Sequence, residues 1–313
     1  MNQFKNIIMI DNILKFIKTN KLDIAFWCIF VCLIWFVYGI QGNNQEVYRH
    51  GSSAILWMVN RWDGSGGDLS HCWLIPLISI GVVIWRRKEF AKVEIKPCYW
   101  GLPLIILCLI FHWVGFRTQL TRVSLLTIIG LLWSVPLFLY GKGVAKLLIF
   151  PCAYLILSIP LSFMNQITFP LRIFASTCSV GMLNGIGIAA IQQGTMIYSN
   201  AGEGFNFNVA DPCSGLRSIL AMVAIAAAYG NLTQKKQWKK WAVFCLALPM
   251  AIVGNISRIL IIAIIAQWKG QEAASFVHDY SDFIIFPVAV LLMIFVGELL
   301  RKADFSKIKK GNK

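Results

Sequence analysis

The chain has 313 residues, of which 58% are hydrophobic and 14% charged, with a mean hydropathy of +0.67 and a formal net charge of +15. A soluble domain cannot carry that much apolar surface, so the composition indicates a polytopic helical membrane protein. The positive charge does not mark nucleic-acid binding, because Lys and Arg cluster in short segments between apolar spans, the pattern that sets membrane topology.

Taken in chain order, apolar runs long enough to cross a bilayer fall at 22–40, 70–85, 99–116, 123–140, 144–163, 213–231, 241–267 and 283–300. The expected fold is all-α, a single integral membrane domain over 1–313 with about eight transmembrane helices. Residues 1–21 form a basic cytoplasmic segment, in which 4–18 alternate Lys with Phe, Ile and Leu. That spacing suits a helix lying along the inner surface or a plain basic tail. The first span is too long for a signal-peptide core and no small-residue cleavage site follows it, so it is expected to stay as a signal anchor.

With both termini inside, 21 of the 29 cations fall on cytoplasmic segments, including the basic tail at 301–313, as the positive-inside rule requires. Arg117 and Arg122 flank a short external turn and run against it.

The region 164–212 is the one long non-spanning segment and is expected outside. Pro170 to Ile191 mixes large apolar residues with Ser, Thr, Asn and Gly, which suits an amphipathic helix at the outer interface or a re-entrant one. The alternating segments Thr195–Tyr198 and Phe205–Val209, separated by Ser199–Gly204, predict a short hairpin that leads to Asp211.

Nine cysteines do not make a disulfide framework here. Cys28, Cys32, Cys108, Cys152 and Cys245 lie in apolar spans, where a thiol is a small hydrophobe. The histidines, His50, His71, His112 and His278, show no metal-binding spacing, and no nucleotide loop is present, so neither a metal nor an organic cofactor is implied.

Cys213 is different. Asp211 and Pro212 favour a helix N-cap and first position, which puts Cys213 in the first turn of the 213–231 span, where the helix dipole and free N–H groups stabilise a thiolate. Arg258 lies well inside the 241–267 span, where an ionisable side chain is costly and marks function, and about 25 Å up a hydrocarbon core of about 30 Å, level with Cys213. Asn255 is one turn before it and shares its face. His278, expected in the short external loop before the last span, is followed by Asp279 and Asp282. An imidazole there can take a thiol proton while a carboxylate fixes its tautomer. Arg217, four residues after Cys213, can hold a substrate carboxylate or an oxyanion.

These residues leave three chemistries open. One is thiol catalysis on Cys213. A second is a transporter or flippase whose Arg217 and Arg258 bind an anionic substrate. The third is an acyltransferase using His278 on a lipid-linked donor, without a covalent adduct at Cys213.

The stretch Cys213-Ser214-Gly215-Leu216-Arg217, the pair Asn255 and Arg258, and His278 resemble, in order and spacing, the exosortase/archaeosortase family of membrane cysteine transpeptidases. Trp62-Asp63 followed by Asp68-Leu69-Ser70-His71 resembles that family's first external loop, with Cys72 standing where glycine is expected. The resemblance implies Cys213, Arg258 and His278 as catalytic residues, with Ser214, Arg217, Asn255 and Asp279 in support. It also implies secreted protein substrates that end in a motif such as Pro-Glu-Pro, a transmembrane helix and a basic cluster. The product would pass to an envelope or membrane-lipid acceptor on the outer side of the plasma membrane.

Overall fold

The computed structural model describes residues 21–42, 52–63, 69–160, 164–199, 206–208 and 216–310. The basic segment 4–18 lies outside them. The described parts of the predicted spans are largely helical, and the chain is a helical, multi-pass membrane protein. Among the described residues four helices are long and apolar enough to cross a bilayer: Ile24–Gln41, Thr121–Tyr140, Gln237–Lys269 and Phe283–Ala303. Ser70–Trp85, Gly101–Arg117 and Ser218–Thr233 are shorter apolar helices. The fifth predicted span is interrupted: α-helix Lys142–Leu155, which contains Pro151, passes into a 3-10 turn at Ile156–Ser158. Length and composition therefore support four of the eight expected crossings.

The chain divides into two compact units, 1–61 with 95–145, and 62–94 with 146–313. In the first, α1 (Lys21–Ile34) widens into a π-helical turn at Trp35–Gln41, and α2 begins at Ala54 and ends at Asp63. Helices α3 (Gly101–Arg117) and α4 (Thr121–Tyr140) form an antiparallel hairpin. Lipid supplies no hydrophobic force between helices, so their cohesion comes from close approach at small residues. A Cβ at Gly101 would lie 2.6 Å from Phe138 Cβ, and one at Gly130 2.5 Å from Cys108 Sγ. Tyr38 and Thr127 share a hydroxyl hydrogen bond of 2.8 Å, and Trp27 Nε1 donates to Tyr140 Oη at 2.9 Å. The two cations that ran against the positive-inside rule rest on aromatic faces: Arg122 lies 5.3 Å from the Trp57 ring centre and Arg117 5.9 Å from that of Trp113.

The second unit holds α5 (Leu74–Trp85), most of α6 (Lys142–Leu155) and α7 (Met164–Gly185). A small sheet follows, then α8 (Leu216–Thr233), α9 (Gln237–Lys269), α10 (Gln271–Tyr280) and α11 (Asp282–Lys310). Helix α9 spans two packed layers. Its first half, with Val243, Ala247 and Ala251, meets Met222 and Ala226 of α8 and Met293 of α11. Its second half, with Ile259, Ile262 and Ala266, meets Leu183 of α7, Ile197 of the sheet and Ala274 of α10.

The region between α7 and α8 departs from expectation in one respect. The helix expected to run to Ile191 stops at Gly185, because Gly187 takes the left-handed conformation (φ +88°) that ends helices. The Asn184 amide then accepts from the Ala190 N–H at 2.8 Å and donates to its carbonyl at 3.1 Å, which starts a strand. That strand, β1 (Ala190–Gln193), turns through Gly194 (φ +64°) into β2 (Met196–Ser199), which pairs with β3 (Asn206–Asn208). The predicted hairpin is β2 and β3, and β1 extends it to three antiparallel strands.

Gly141 ends α4 with φ +88°, and a Cβ there would overlap the Lys96 carbonyl oxygen. Gly141→Ala is expected to destabilise the protein by at least about 1 kcal/mol, combining backbone strain with overpacking. Gly181→Ala, in a helix with nothing within 4 Å of the new Cβ, should be neutral or stabilising. Thermal unfolding of the two variants in detergent measures the difference.

Candidate functional site

Arg258 sits on α9 with 6% of its surface exposed, and a guanidinium so buried must be met by acceptors. Its Nη2 donates to the backbone carbonyl of His278 at 3.1 Å. The acceptor suits the charge, because carbonyls in the last turn of a helix lack intrahelical partners and carry the negative end of its dipole. The same oxygen accepts from Ser281 Oγ at 3.1 Å.

His278 is therefore not in a loop, as its sequence position suggested, but in the last turn of α10. Gly270 (φ +84°) ends α9 and lets the chain turn directly into this short helix. Ala274 and Val277 bury one of its faces against the second half of α9, leaving Phe276 and Tyr280 exposed. Ser281 alone separates α10 from α11: its N–H donates to the Val277 carbonyl at 2.8 Å, and its own carbonyl accepts from Ile285 at 2.9 Å. The His278 carbonyl is thus held from the α9 side by Arg258 and from the joint by Ser281.

Beside this junction is a small open cleft between α8, α9 and α11. Ser218, Asn255 and Arg258 line it, and Met222 and Ala251 follow one helical turn further from them. Phe286 and Ala289 of α11 form the remaining wall. Asn255 is buried (8% exposed) and shares the cleft with Arg258, as its one-turn spacing predicts.

Cys213 and Ser214 lie outside the described residues. The chain resumes at Leu216, so Arg217 is the second residue of α8 and Ser218, which lines the cleft, the third. On the other side of that interval, β3 is tied to the His278 helix, since Gln271 Nε2 donates to the Asn206 carbonyl at 3.3 Å. Asp279 is the next-to-last residue of α10. Ser218 and Ser281 are the site residues that sequence reasoning missed. Each was visible only as a single hydroxyl near a named residue, Ser218 five positions after Cys213 and Ser281 three after His278.

The motif around His71 forms a clasp at the break in the fifth predicted span. Trp62 Nε1 donates to the Ser158 carbonyl at 2.8 Å, Trp73 Nε1 to Asp63 Oδ1 at 2.8 Å, and the buried Cys72 thiol to the Leu157 carbonyl at 3.7 Å. His71 Nε2 lies 3.7 Å from the Cys72 sulfur. Among the described residues no three His, Cys, Asp or Glu side chains are grouped to hold a metal ion.

A family model described as transmembrane exosortase matches residues 62–295, a stretch that includes Arg258, His278 and the clasp. No curated protein and no solved structure matches the chain.

Arg258→Ala should release the end of α10. The His278 carbonyl keeps its bond from Ser281 but loses a charged one worth about 1.5–3 kcal/mol, so amide exchange across 271–280 should accelerate about tenfold or more, while exchange in α3 and α4 stays unchanged. Hydrogen-exchange mass spectrometry reads both regions in one experiment.

Proposed function

The chain belongs to the transmembrane exosortase family, and from that premise we propose that it is a sortase-like cysteine transpeptidase acting at the outer face of the plasma membrane, with both termini cytoplasmic. Its substrates are secreted proteins carrying a C-terminal recognition motif, a transmembrane helix and a basic cluster. The substrate helix brings the motif to the membrane surface beside the cleft.

In this mechanism the Cys213 thiol gives its proton to His278, and the thiolate attacks the peptide carbonyl near the motif. The S–C bond forms as the carbonyl becomes an oxyanion, stabilised by N–H donors of Arg258 directed to the cleft. Collapse breaks the C–N bond, the amine of the C-terminal fragment leaves with the proton held by His278, and an acyl-thioester remains on Cys213. An amine or other nucleophile of the envelope or a lipid then attacks the thioester and restores the thiol. Asn255 and Ser214 support the oxyanion side, Arg217 contacts the substrate, and Asp279 supports the imidazole. The chemistry calls for no metal and no organic cofactor.

The observation that carries this reading is the hydrogen bond from Arg258 to the His278 carbonyl beside a cleft that also takes Ser218 from the first turn of α8. The Arg258 guanidinium meets the backbone of His278, and α8, whose first turn carries Ser218, lines the cleft beside them. The anion-transporter reading of the same arginines is not favoured by the family.

The test is to co-express wild type, Cys213→Ala, Arg258→Ala and His278→Ala with a substrate bearing a C-terminal tag and to follow tag removal on a gel. Cys213→Ala should show no processing, and the other two should be slowed about 100-fold or more. Full processing by Cys213→Ala would end the nucleophile assignment.

A further inference from the structure

Helix α9 begins with a second group of cations, remote from the catalytic proposal: Lys240 is about 27 Å from Arg258 along the helix axis. Arg86, which follows α5, is half-buried, and its Nη2 donates to Asn231 Oδ1 at 2.6 Å. Asn231 adjoins Gly230, where α8 touches α9 so closely that a Cβ would lie 3.3 Å from the Lys240 carbonyl oxygen. Arg86 and the half-buried Lys240 thus come to the same α8–α9 contact, Arg86 through Asn231 and Lys240 through its backbone beside Gly230. Neither forms an ion pair with a carboxylate among the described residues.

Two cations brought to one helix contact from separate elements, one of them oriented by an amide, suit an anion. We propose that Arg86 and Lys240, with Asn231 as the positioning residue, bind the phosphodiester of an anionic membrane lipid headgroup. Asn231 occupies one edge of the guanidinium and leaves further N–H donors to meet phosphate oxygens as a fork, while Lys240 adds a point charge. The lipid source follows from the surroundings. Trp85 and Trp241, the sequence neighbours of the two cations, are 61% and 64% exposed, as indoles at the headgroup level of a bilayer are. The first turn of α9 contains no acidic residue, so its dipole adds potential of the same sign.

Thermal unfolding of the full-length protein in neutral detergent, with added phosphatidylglycerol, phosphatidylcholine or inorganic phosphate, tests the site. Phosphatidylglycerol should raise the wild-type Tm and phosphatidylcholine should not. In the Arg86→Gln/Lys240→Gln variant the apparent affinity for phosphatidylglycerol should fall roughly tenfold or more, whereas Arg86→Lys/Lys240→Arg should retain most of it. Lys240→Gln alone, which removes no hydrogen bond of the fold described above, gives the same readout if the double variant does not fold. An undiminished phosphatidylglycerol shift in the glutamine variants overturns the proposal. Stabilisation by inorganic phosphate without any by phosphatidylglycerol assigns the site to a soluble anion and overturns the lipid.

Discussion

A guanidinium carried inside an apolar helix has to be compensated, and Arg258 is compensated in part by the backbone of the residue proposed as its catalytic partner. Its bond to the carbonyl of His278 fixes the helix that bears the imidazole. The short helix α10 has ten residues, too few to hold its shape unaided. It depends on packing against α9, on the Ser281 joint and on the charge of Arg258 at its negative end. One buried cation therefore does two things: it lines the cleft, and it holds the histidine's segment beside it.

The rest of the second unit follows from that requirement. Helix α9 is long enough to give its first half to the helix bundle and its second half to a platform of α7, the small sheet and α10. The sheet reaches the same helix from the other direction, through Asn206 and Gln271. In the first unit the work is simpler, and glycines set how closely α3 and α4 approach.

Much of this was legible in the sequence because membrane proteins write their constraints in composition. Apolar runs located the helices, and an arginine well inside one of them pointed to the candidate site, since a charge there is costly. Asn255 followed from helical spacing alone. What escaped were features set by local glycine chemistry and by tertiary packing. Gly187 cut short a helix whose composition continued to Ile191, and Gly270 set off a separate helix where a loop was expected. Pro151 and the turn after Leu155 interrupted a run that was apolar enough to read as a span. The bond to the His278 carbonyl was not readable, because a backbone acceptor has no sequence signature. Cys213 itself rests on the motif and on the family to which the chain belongs.

If Arg258 and His278 act as one unit, their contributions to the reaction are not independent. A double-mutant cycle on the rate of substrate processing, using Arg258→Lys, His278→Gln and the pair, measures that coupling directly. The account predicts a double variant about as slow as the slower single one. Two losses that multiply would contradict it, placing the arginine and the histidine in separate roles.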